Sequence, residues 1–220
     1  MRRSGASKPL KLKFDLHVHT EISKDAFTKV SELAQVTRRR GLDGIAITDH
    51  NSLSSNFPNG TTTLPGIEIS STDGHVIGLG LNDAVPRGLS AEETITDIHR
   101  KGGIAIIPHP YDLFRSSVRP DRLTVRPDAI EVFNASSFLH SITWKKAMES
   151  ARRAGLPMVA GSDSHIPQTI GSAYTIVESA TLEPYTVLSA IRNGSVTPVP
   201  GTVNISHRVR KLLLRSTDRR

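Results

Sequence analysis

The fold of this chain is decided at residues 14–20, Phe14-Asp15-Leu16-His17-Val18-His19-Thr20. The first five of these residues form a short, mostly apolar run, so we predict a buried β-strand over residues 14–18. Side chains two positions apart on a strand share a face, and His17 and His19 therefore lie side by side at its end. Imidazole is a ligand for zinc, manganese and iron, but a His-x-His pair alone is a weak signal.

Further short apolar runs follow this strand, and segments of helical periodicity separate several of them. We predict strands at residues 44–48, 67–70, 76–81, 104–107, 129–133 and 158–160, and an eighth at 174–177. Strands that alternate with helices indicate βαβ units and a largely parallel α/β sheet. A closed or nearly closed barrel then competes with an open, doubly wound sheet.

Helices are predicted where apolar residues recur at spacings of three and four, and glycines end most of these segments. They fall near residues 30–37, 95–99, 144–154, 184–191 and 205–214. Ser90 and Glu93 have the spacing of a capping box at the start of the second helix. Residues 52–64 are rich in Ser, Asn, Thr, Pro and Gly, which predicts a loop.

The length of 220 residues suits one globular domain, and the chain contains no cysteine, so any metal must be held by His and carboxylate. The net charge of +7 divides into +5 on residues 1–13, +5 on residues 207–220 and −3 on the body between them. We therefore predict a basic N-terminal extension at 1–13, a barrel domain at 14–204 and a basic C-terminal helix or tail at 205–220. As a helix, the last segment would pack Val209, Leu212 and Leu213 on the barrel and turn its Arg and Lys outward.

No apolar stretch is long enough to span a bilayer, and no secretory signal follows Met1. We expect a cytoplasmic protein that makes no membrane contact.

Metal-ligand residue types stand where the apolar runs end. They are His17, His19, Asp49, His50, Glu68, His75, His109, Glu131, Asp163 and His165. In a parallel α/β sheet the carboxyl ends of the strands point the same way, so these side chains converge on one face. His75 is the exception, because it precedes its strand unless that strand runs antiparallel. Among the other histidines, His99, His140 and His207 lie in helical or exposed contexts and are expected to be incidental.

A cluster of this composition can hold two or three divalent ions, with zinc, manganese and iron all suited to the donor set. Neighbouring ions polarise a phosphate and lower the pKa of a bridging water. A carboxylate must bridge them, and Glu68 is the natural candidate.

In order, seven segments resemble the motifs of the PHP (polymerase and histidinol phosphatase) family. These are residues 14–20, 47–51, 65–70, 75–79, 108–110, 130–134 and 161–165, and the resemblance extends from about Phe14 to Gly194. It implies a distorted (β/α)7, TIM-like barrel in a single domain, with a three-metal site at its C-terminal face.

The resemblance also implies a ligand set. The first metal would be bound by His17, His19, Glu68 and Asp163; the second by Glu68, His75 and His109; the third by Asp25, His50 and His165. Glu68, Asp163 and His165 are the residues expected to carry catalysis. Family activities are hydrolysis of phosphomonoesters and, in related nucleotidases, of nucleotide 3′,5′-bisphosphates and short RNA ends.

Two features depart from the family pattern. Only 18 positions separate His50 from Glu68, where relatives usually fit a helix, and this shortness predicts an open flank. No long insertion of the kind that forms a lid in the bisphosphate-cleaving relatives is present, so their specificity is not transferred.

Other polar residues near the motifs have two readings each. Asp15 and Asp49 either orient an imidazole or are solvated carboxylates at strand ends. Glu131 and Asn134 either contact substrate or ligands or hydrogen-bond within the core. Arg115 is a candidate phosphate clamp, with Asn134 as a second candidate for substrate binding.

We therefore predict a metal-dependent phosphoesterase acting on a phosphomonoester of a nucleotide or small phosphorylated metabolite. One alternative is a 5′-end-directed exoribonuclease or nucleotide 3′,5′-bisphosphate phosphatase, with RNA contacted by the basic termini. A second alternative is a non-catalytic PHP-like module that binds RNA or protein. The oligomeric state is left open.

Overall fold

The computed structural model describes residues 8–217, and within that range nine strands form one continuous sheet. The strands are β1 Leu10–Val18, β2 Gly44–Ile47, β3 Thr62–Ser70, β4 His75–Leu79, β5 Ile104–Ile107, β6 Ala129–Asn134, β7 Met158–Gly161, β8 Tyr174–Ser179 and β9 Val196–Val199. The longer helices are α1 Leu33–Arg39, α2 Ala91–Arg100, α3 His140–Ala154, α4 Pro184–Arg192 and α5 Ile205–Thr217. The strand order is β7-β6-β5-β4-β3-β2-β1-β8-β9.

The sheet curls into a nearly closed barrel, as the resemblance implied. β1 pairs in parallel with β2 on one side, and its end also forms a parallel bridge from Val18 to Ser164, just after β7. The backbone N–H of His19 donates to the carbonyl of Ser164 at 2.9 Å. β8 and β9 extend the sheet beside β1 in antiparallel pairing. The barrel therefore consists of β1 to β7, and the expected α/β class is confirmed.

The direction of β4 explains the position of His75. β4 runs antiparallel to both β3 and β5, and His75 pairs with Ser70, the last residue of β3. The first residue of β4 consequently lies at the same end of the barrel as the carboxyl ends of its parallel neighbours. His75 joins the other candidate ligands for this reason.

Both faces of the barrel strands are buried, as expected for largely parallel strands covered by other elements. Phe14 and Leu16 of β1 pack in one cluster with Leu64, Leu79 and Ile106 of neighbouring strands. Separate clusters lie beneath α1 and beneath α2. The rim of the barrel is thus supported by apolar packing on both sides of its strands.

Several predicted boundaries need correction. β1 begins at Leu10 rather than at Phe14 and pairs there with β8, so the sheet extends into the last residues of the predicted N-terminal extension. β3 begins at Thr62, inside the segment predicted as a loop, and pairs with β2 in parallel, so this flank is not open. α3 begins at His140, and β9 was not predicted. The capping box of Ser90 and Glu93 is present at the start of α2.

Over residues 8–217, no helix has the length and hydropathy needed to cross a lipid bilayer.

Candidate metal centre

The structure brings the predicted ligands together at the carboxyl-terminal rim of the barrel. They comprise His17, His19, Asp25, His50, Glu68, His75, His109, Asp163 and His165. Most of them lie in or directly after strands, and the strand ends therefore set their positions. Their role as metal ligands stays a prediction, and the geometry shows what they can hold.

The first group consists of two imidazoles and two carboxylates. His17 Nε2 lies 3.5 Å from Glu68 Oε1 and 3.8 Å from Asp163 Oδ1. His19 Nε2 lies 3.4 Å from Glu68 Oε2 and 3.5 Å from Asp163 Oδ1. Ligands about 2.0–2.2 Å from a tetrahedral ion are separated by roughly 3.3–3.6 Å, so these spacings suit zinc or a similar ion.

Each histidine of this first group has one ring nitrogen, Nε2, that is left for a metal ion. Both Nε2 atoms, of His17 and of His19, are buried and have no hydrogen-bond partner among the residues described. A buried polar atom without a partner is costly, and a metal ion bound at this point would satisfy both nitrogens. The donor set therefore fits a divalent metal.

Glu68 connects this group to the rest of the cluster. Its Oε1 lies 2.9 Å from His75 Nδ1 and 3.0 Å from His109 Nε2, while Oε2 lies 2.9 Å from His50 Nδ1. Burial opposes its ionisation, yet the charges of His17 and His75 hold the pKa of Glu68 well below its usual value. An ionised carboxylate surrounded by imidazoles has the arrangement required of a bridging ligand.

The third group is centred on Asp25. Its Oδ2 lies 3.0 Å from His165 Nε2, and its Oδ1 lies 3.7 Å from His50 Nε2. The same Oδ2 also contacts the guanidinium of Arg215 and lies 3.8 Å from Lys211 Nζ, both on α5. Asp25 thus has two sets of partners, one on the barrel rim and one on the last helix.

Glu131 orients the first histidine of the cluster. Its Oε1 lies 3.0 Å from His17 Nδ1, and its Oε2 accepts the backbone N–H of His109 at 2.9 Å. An Nδ1–H donated to Glu131 leaves Nε2 directed at the metal site, which is the usual support for a ligating histidine. Burial disfavours the charged imidazole, but the carboxylates of Glu131 and Asp163 raise the pKa of His17 well above its usual value.

Asn134 holds these carboxylates in place. Its amide nitrogen donates to Glu131 Oε2 at 2.9 Å and to Asp163 Oδ2 at 3.3 Å, and its side chain is buried. The structure therefore shows a positioning role for Asn134, and its predicted contact with substrate stays a prediction.

Asp15 and Asp49 are both buried, so neither is a solvated carboxylate at a strand end. Asp49 accepts the Ser23 hydroxyl at 2.6 Å, and that hydroxyl lies 3.4 Å from His19 Nδ1. Asp15 instead accepts the backbone N–H groups of Ser162 at 2.9 Å and Gly171 at 2.8 Å. Asp49 reaches an imidazole through one hydroxyl, whereas Asp15 fixes the loop after β7. Burial raises the pKa of Asp15 to about 6.

Two candidate ligands have unusual backbone angles. The φ angle is +33° at His109 and +51° at Asp163, a region that residues other than glycine seldom occupy. Such strain is typical of functional sites, where the surroundings enforce it. Close packing also requires a glycine at position 161, because a Cβ atom there would lie 2.6 Å from both Glu131 Oε1 and His17 Cβ.

Arg115 lies at the edge of the cluster. Its guanidinium contacts Asp163 and donates to the carbonyl of Ser136 at 3.2 Å. Burial opposes the ionised form of Asp163, but Arg115 and His17 hold the pKa of that carboxyl well below its usual value. Arg115 also lines the adjoining pocket, where it can contact an anion.

The pocket above the cluster has a volume of about 440 Å³. The metal-ligand candidates form its floor, and the exposed rings of Phe114 and Phe138 flank it. Residues of α5 form the opposite wall: His207, Arg208, Lys211, Leu212 and Arg215.

The orientation of α5 is opposite to the one predicted from the sequence. Val209, Leu212 and Leu213 are 48%, 64% and 63% exposed, while Lys211 and Arg215 face the metal-ligand cluster. The cationic face of the helix contacts a carboxylate of the barrel rim, and its apolar face is left exposed. His207, expected to be incidental, lines the pocket, whereas His99 pairs with Asp128 outside it.

This combination of a barrel with histidines and carboxylates gathered at its carboxyl-terminal rim defines a class of metal-dependent hydrolases. Comparison with known proteins identifies the family to which the chain belongs. A model of the PHP domain matches residues 15–118, and a PHP-associated model matches residues 143–196. The uncharacterized protein MJ1587 of Methanocaldococcus jannaschii is 36% identical over 141 residues, which span 56% of this chain and 82% of that protein. This chain belongs to the PHP family.

Two further similarities bear on activity and fold. The Probable phosphatase YcdX of Escherichia coli (strain K12) is 27% identical over 199 residues, or 71% of this chain and 80% of that protein. A solved two-domain protein of Bacteroides vulgatus ATCC 8482, described as containing a predicted PHP-like metal-dependent phosphoesterase, aligns with a TM-score of 0.69 at 18% identity. That alignment covers 98% of this chain and 74% of the other, and it shows the shared barrel. Together with the family match, the phosphatase name of the first relative and the cluster of possible metal ligands support a metal-dependent phosphoesterase.

Proposed function

We propose that this protein hydrolyses a phosphomonoester by means of two or three divalent metal ions held at the barrel rim. One observation carries the proposal: the carboxylate of Glu68 lies among the imidazoles of five histidines, and the buried Nε2 atoms of two of them, His17 and His19, have no hydrogen-bond partner in the described part of the chain. The five are His17, His19, His50, His75 and His109. When bound, such ions supply a nucleophilic hydroxide at neutral pH and stabilise charge on the phosphate. Zinc, manganese and iron all suit these donors.

The side chains divide this work among themselves. Glu68 bridges the groups of ligands, Asp163 completes the first group, and His165 belongs to the third. Arg115 lies beside Asp163 at the pocket floor, where its planar guanidinium can bind phosphoryl oxygens in a bidentate manner. Glu131 and Asn134 keep the first ligands in position from beneath.

A nucleotide-like substrate is supported by the pocket walls. The exposed rings of Phe114 and Phe138 lie 5.7 Å apart between centroids and stand beside the pocket. Exposed aromatic rings next to cationic groups are typical of sites that stack nucleobases and bind phosphates. A small phosphorylated metabolite without a base would leave these rings unused.

The test is a hydrolysis screen across nucleotides, nucleotide bisphosphates, sugar phosphates and an aryl phosphate, with Mn²⁺ and Zn²⁺ compared. We expect release of inorganic phosphate from at least one nucleotide, with activity lost in His17→Ala. Metal-independent hydrolysis that His17→Ala leaves unchanged would refute the proposal.

A second candidate is a 5′-end-directed exoribonuclease or nucleotide 3′,5′-bisphosphate phosphatase, favoured by the aromatic pair and by the cations that α5 turns toward the cluster. A stepwise ladder from a labelled oligoribonucleotide, abolished by Asp163→Ala, would support it. RNA contact through the basic termini stays a prediction, and residues 1–7 and 218–220 lie outside the described part of the chain. The cytoplasmic location also stays a prediction.

A further inference from the structure

Helix α5 carries a stripe of cations on one face. Arg208, Lys211 and Arg215 are separated by three and four residues, and this spacing places them on the same side of a helix. That side lines the pocket above the metal-ligand cluster. The helix lies beyond residue 196, where the last match to a family model ends.

The first cation of the stripe anchors the helix. Arg208 donates to the carbonyls of Ser136 at 3.0 Å and Ser137 at 2.9 Å, and its guanidinium lies 4.3 Å from the ring centroid of Phe138. The guanidinium N–H groups thus donate to backbone carbonyls of the barrel. Arg208 therefore fixes the amino-terminal turn of α5 to the barrel.

The other two cations bind a carboxylate that has a competing use. Arg215 contacts Asp25 Oδ2, and Lys211 Nζ lies 3.8 Å from the same atom, which is also 3.0 Å from His165 Nε2. Asp25 is the predicted ligand of the third metal. A divalent ion bound to Asp25 would repel Lys211 and Arg215, because the ion and the two side chains would lie close together around one carboxylate.

The charge balance of the pocket points to a replacement partner. Asp25, Glu68 and Asp163 supply the negative charge of the floor, and each divalent ion bound to them would add two positive charges. Once these carboxylates ligate metal, Lys211 and Arg215 need another anion, and the pocket between α5 and the floor has room for one. A phosphate dianion has the charge and acceptor oxygens that lysine and arginine bind best.

We propose that Lys211 and Arg215 are ligands of the substrate phosphate, and that they exchange Asp25 for this phosphate when Asp25 becomes a metal ligand. The inference rests on the proposed function and adds a substrate-binding element to it. Helix α5 then acts as a cationic lid, fixed at Arg208 and free to adjust at its carboxyl-terminal end.

The experiment measures binding of inorganic phosphate to the full-length chain loaded with Mn²⁺, by isothermal titration calorimetry. We compare Lys211→Gln, Arg215→Gln and the double variant with the wild type. Arg210→Gln is the matched control, because Arg210 lies on the same helix but is exposed to solvent. We expect each single variant to weaken phosphate binding about tenfold and the double variant more, with Arg210→Gln unchanged.

A second measurement follows the helix itself. Hydrogen exchange of the α5 amides should increase when Mn²⁺ is added and decrease again when phosphate follows, since the helix first loses Asp25 and then gains a new anion. Manganese content, determined in parallel, should be equal in all variants.

Two results would overturn the inference. Phosphate affinity of the double variant equal to that of the wild type would show that the two cations do not bind phosphate. Loss of manganese from the double variant would show that they stabilise the metal centre instead. The proposed function fails separately, if the wild type binds phosphate through Lys211 and Arg215 but hydrolyses no phosphoester in the screen.

Discussion

The barrel rim and helix α5 face each other across one pocket and are built in opposite ways. The rim ligands are held by buried strands and by mutual contacts, such as those of Glu131 and Asn134 with the first group. Helix α5 leaves its apolar residues exposed and meets the rim through Arg208, Lys211 and Arg215. The floor is therefore held by apolar packing and internal hydrogen bonds, whereas α5 is held on the rim by hydrogen bonds and ion pairs of its cations, and we expect substitutions in the two regions to have different effects.

The largest effect is expected at the centre of the floor. Glu68→Gln removes the negative charge shared by the ligand groups, so kcat for the best substrate should fall by about a thousandfold or more. Steady-state kinetics at saturating Mn²⁺ measure the loss. The matched control is Glu149→Gln, at an exposed position of α3. A Glu68→Gln enzyme within fivefold of the wild type would contradict the bridging role.

The packing contrast is tested by two leucines. Leu16 of β1 is 2% exposed and Leu212 of α5 is 64% exposed. Leu16→Ala should lower the free energy of unfolding by about 2–5 kcal/mol through the cavity it leaves, and Leu212→Ala by less than about 0.5 kcal/mol. Denaturant unfolding measures both values. Comparable losses would show that α5 is packed as tightly as the barrel.

Removal of metal should destabilise the floor. Ions that bind the folded chain but not the unfolded chain stabilise the folded chain by about 2.7 kcal/mol when their free concentration is about a hundred times Kd. For a chain of this size, this stabilisation corresponds to a rise in Tm of roughly 5–10 °C. Differential scanning calorimetry with Mn²⁺ and after treatment with a chelator measures the shift. An unchanged or higher Tm after chelation would argue against a metal centre.

The pH dependence of metal binding follows from His17. The carboxylates around it raise its pKa well above the usual value, so at neutral pH the imidazole is protonated on both ring nitrogens. The nitrogen that binds a metal must lose its proton. Metal binding should therefore release a proton, and the apparent affinity should rise up to about tenfold per pH unit until the raised pKa is passed. Calorimetry in buffers of different ionisation enthalpy counts the protons. Affinity independent of pH would contradict a protonated His17.

Much of the rim could be predicted from sequence, because strand ends and metal-ligand residues coincide locally. The direction of β4 was also predictable in principle. Only residues 71–74 separate β3 from β4, and parallel strands require a connection of about a dozen residues or more. The short connection therefore dictates antiparallel pairing, which places His75 at the rim.

The orientation of α5 could not be predicted from local sequence patterns. Its sequence offers an apolar face with Val209 and Leu212 and a cationic face with Lys211 and Arg215, and hydrophobicity alone favours burying the first. The deciding partner is Asp25, 190 residues from Arg215 in sequence. Local patterns do not encode such a distant contact, and the choice depends on the negative charge assembled by the whole barrel.

Everything proposed above depends on the binding of divalent metal ions by the histidines and carboxylates at the barrel rim. Its most direct test is elemental analysis of the purified full-length chain after loading with Mn²⁺ or Zn²⁺ and removal of free ions. We expect two or three ions per wild-type chain and fewer in both Glu68→Gln and His17→Ala. Less than one ion per chain, or equal metal content in wild type and both variants, would contradict it.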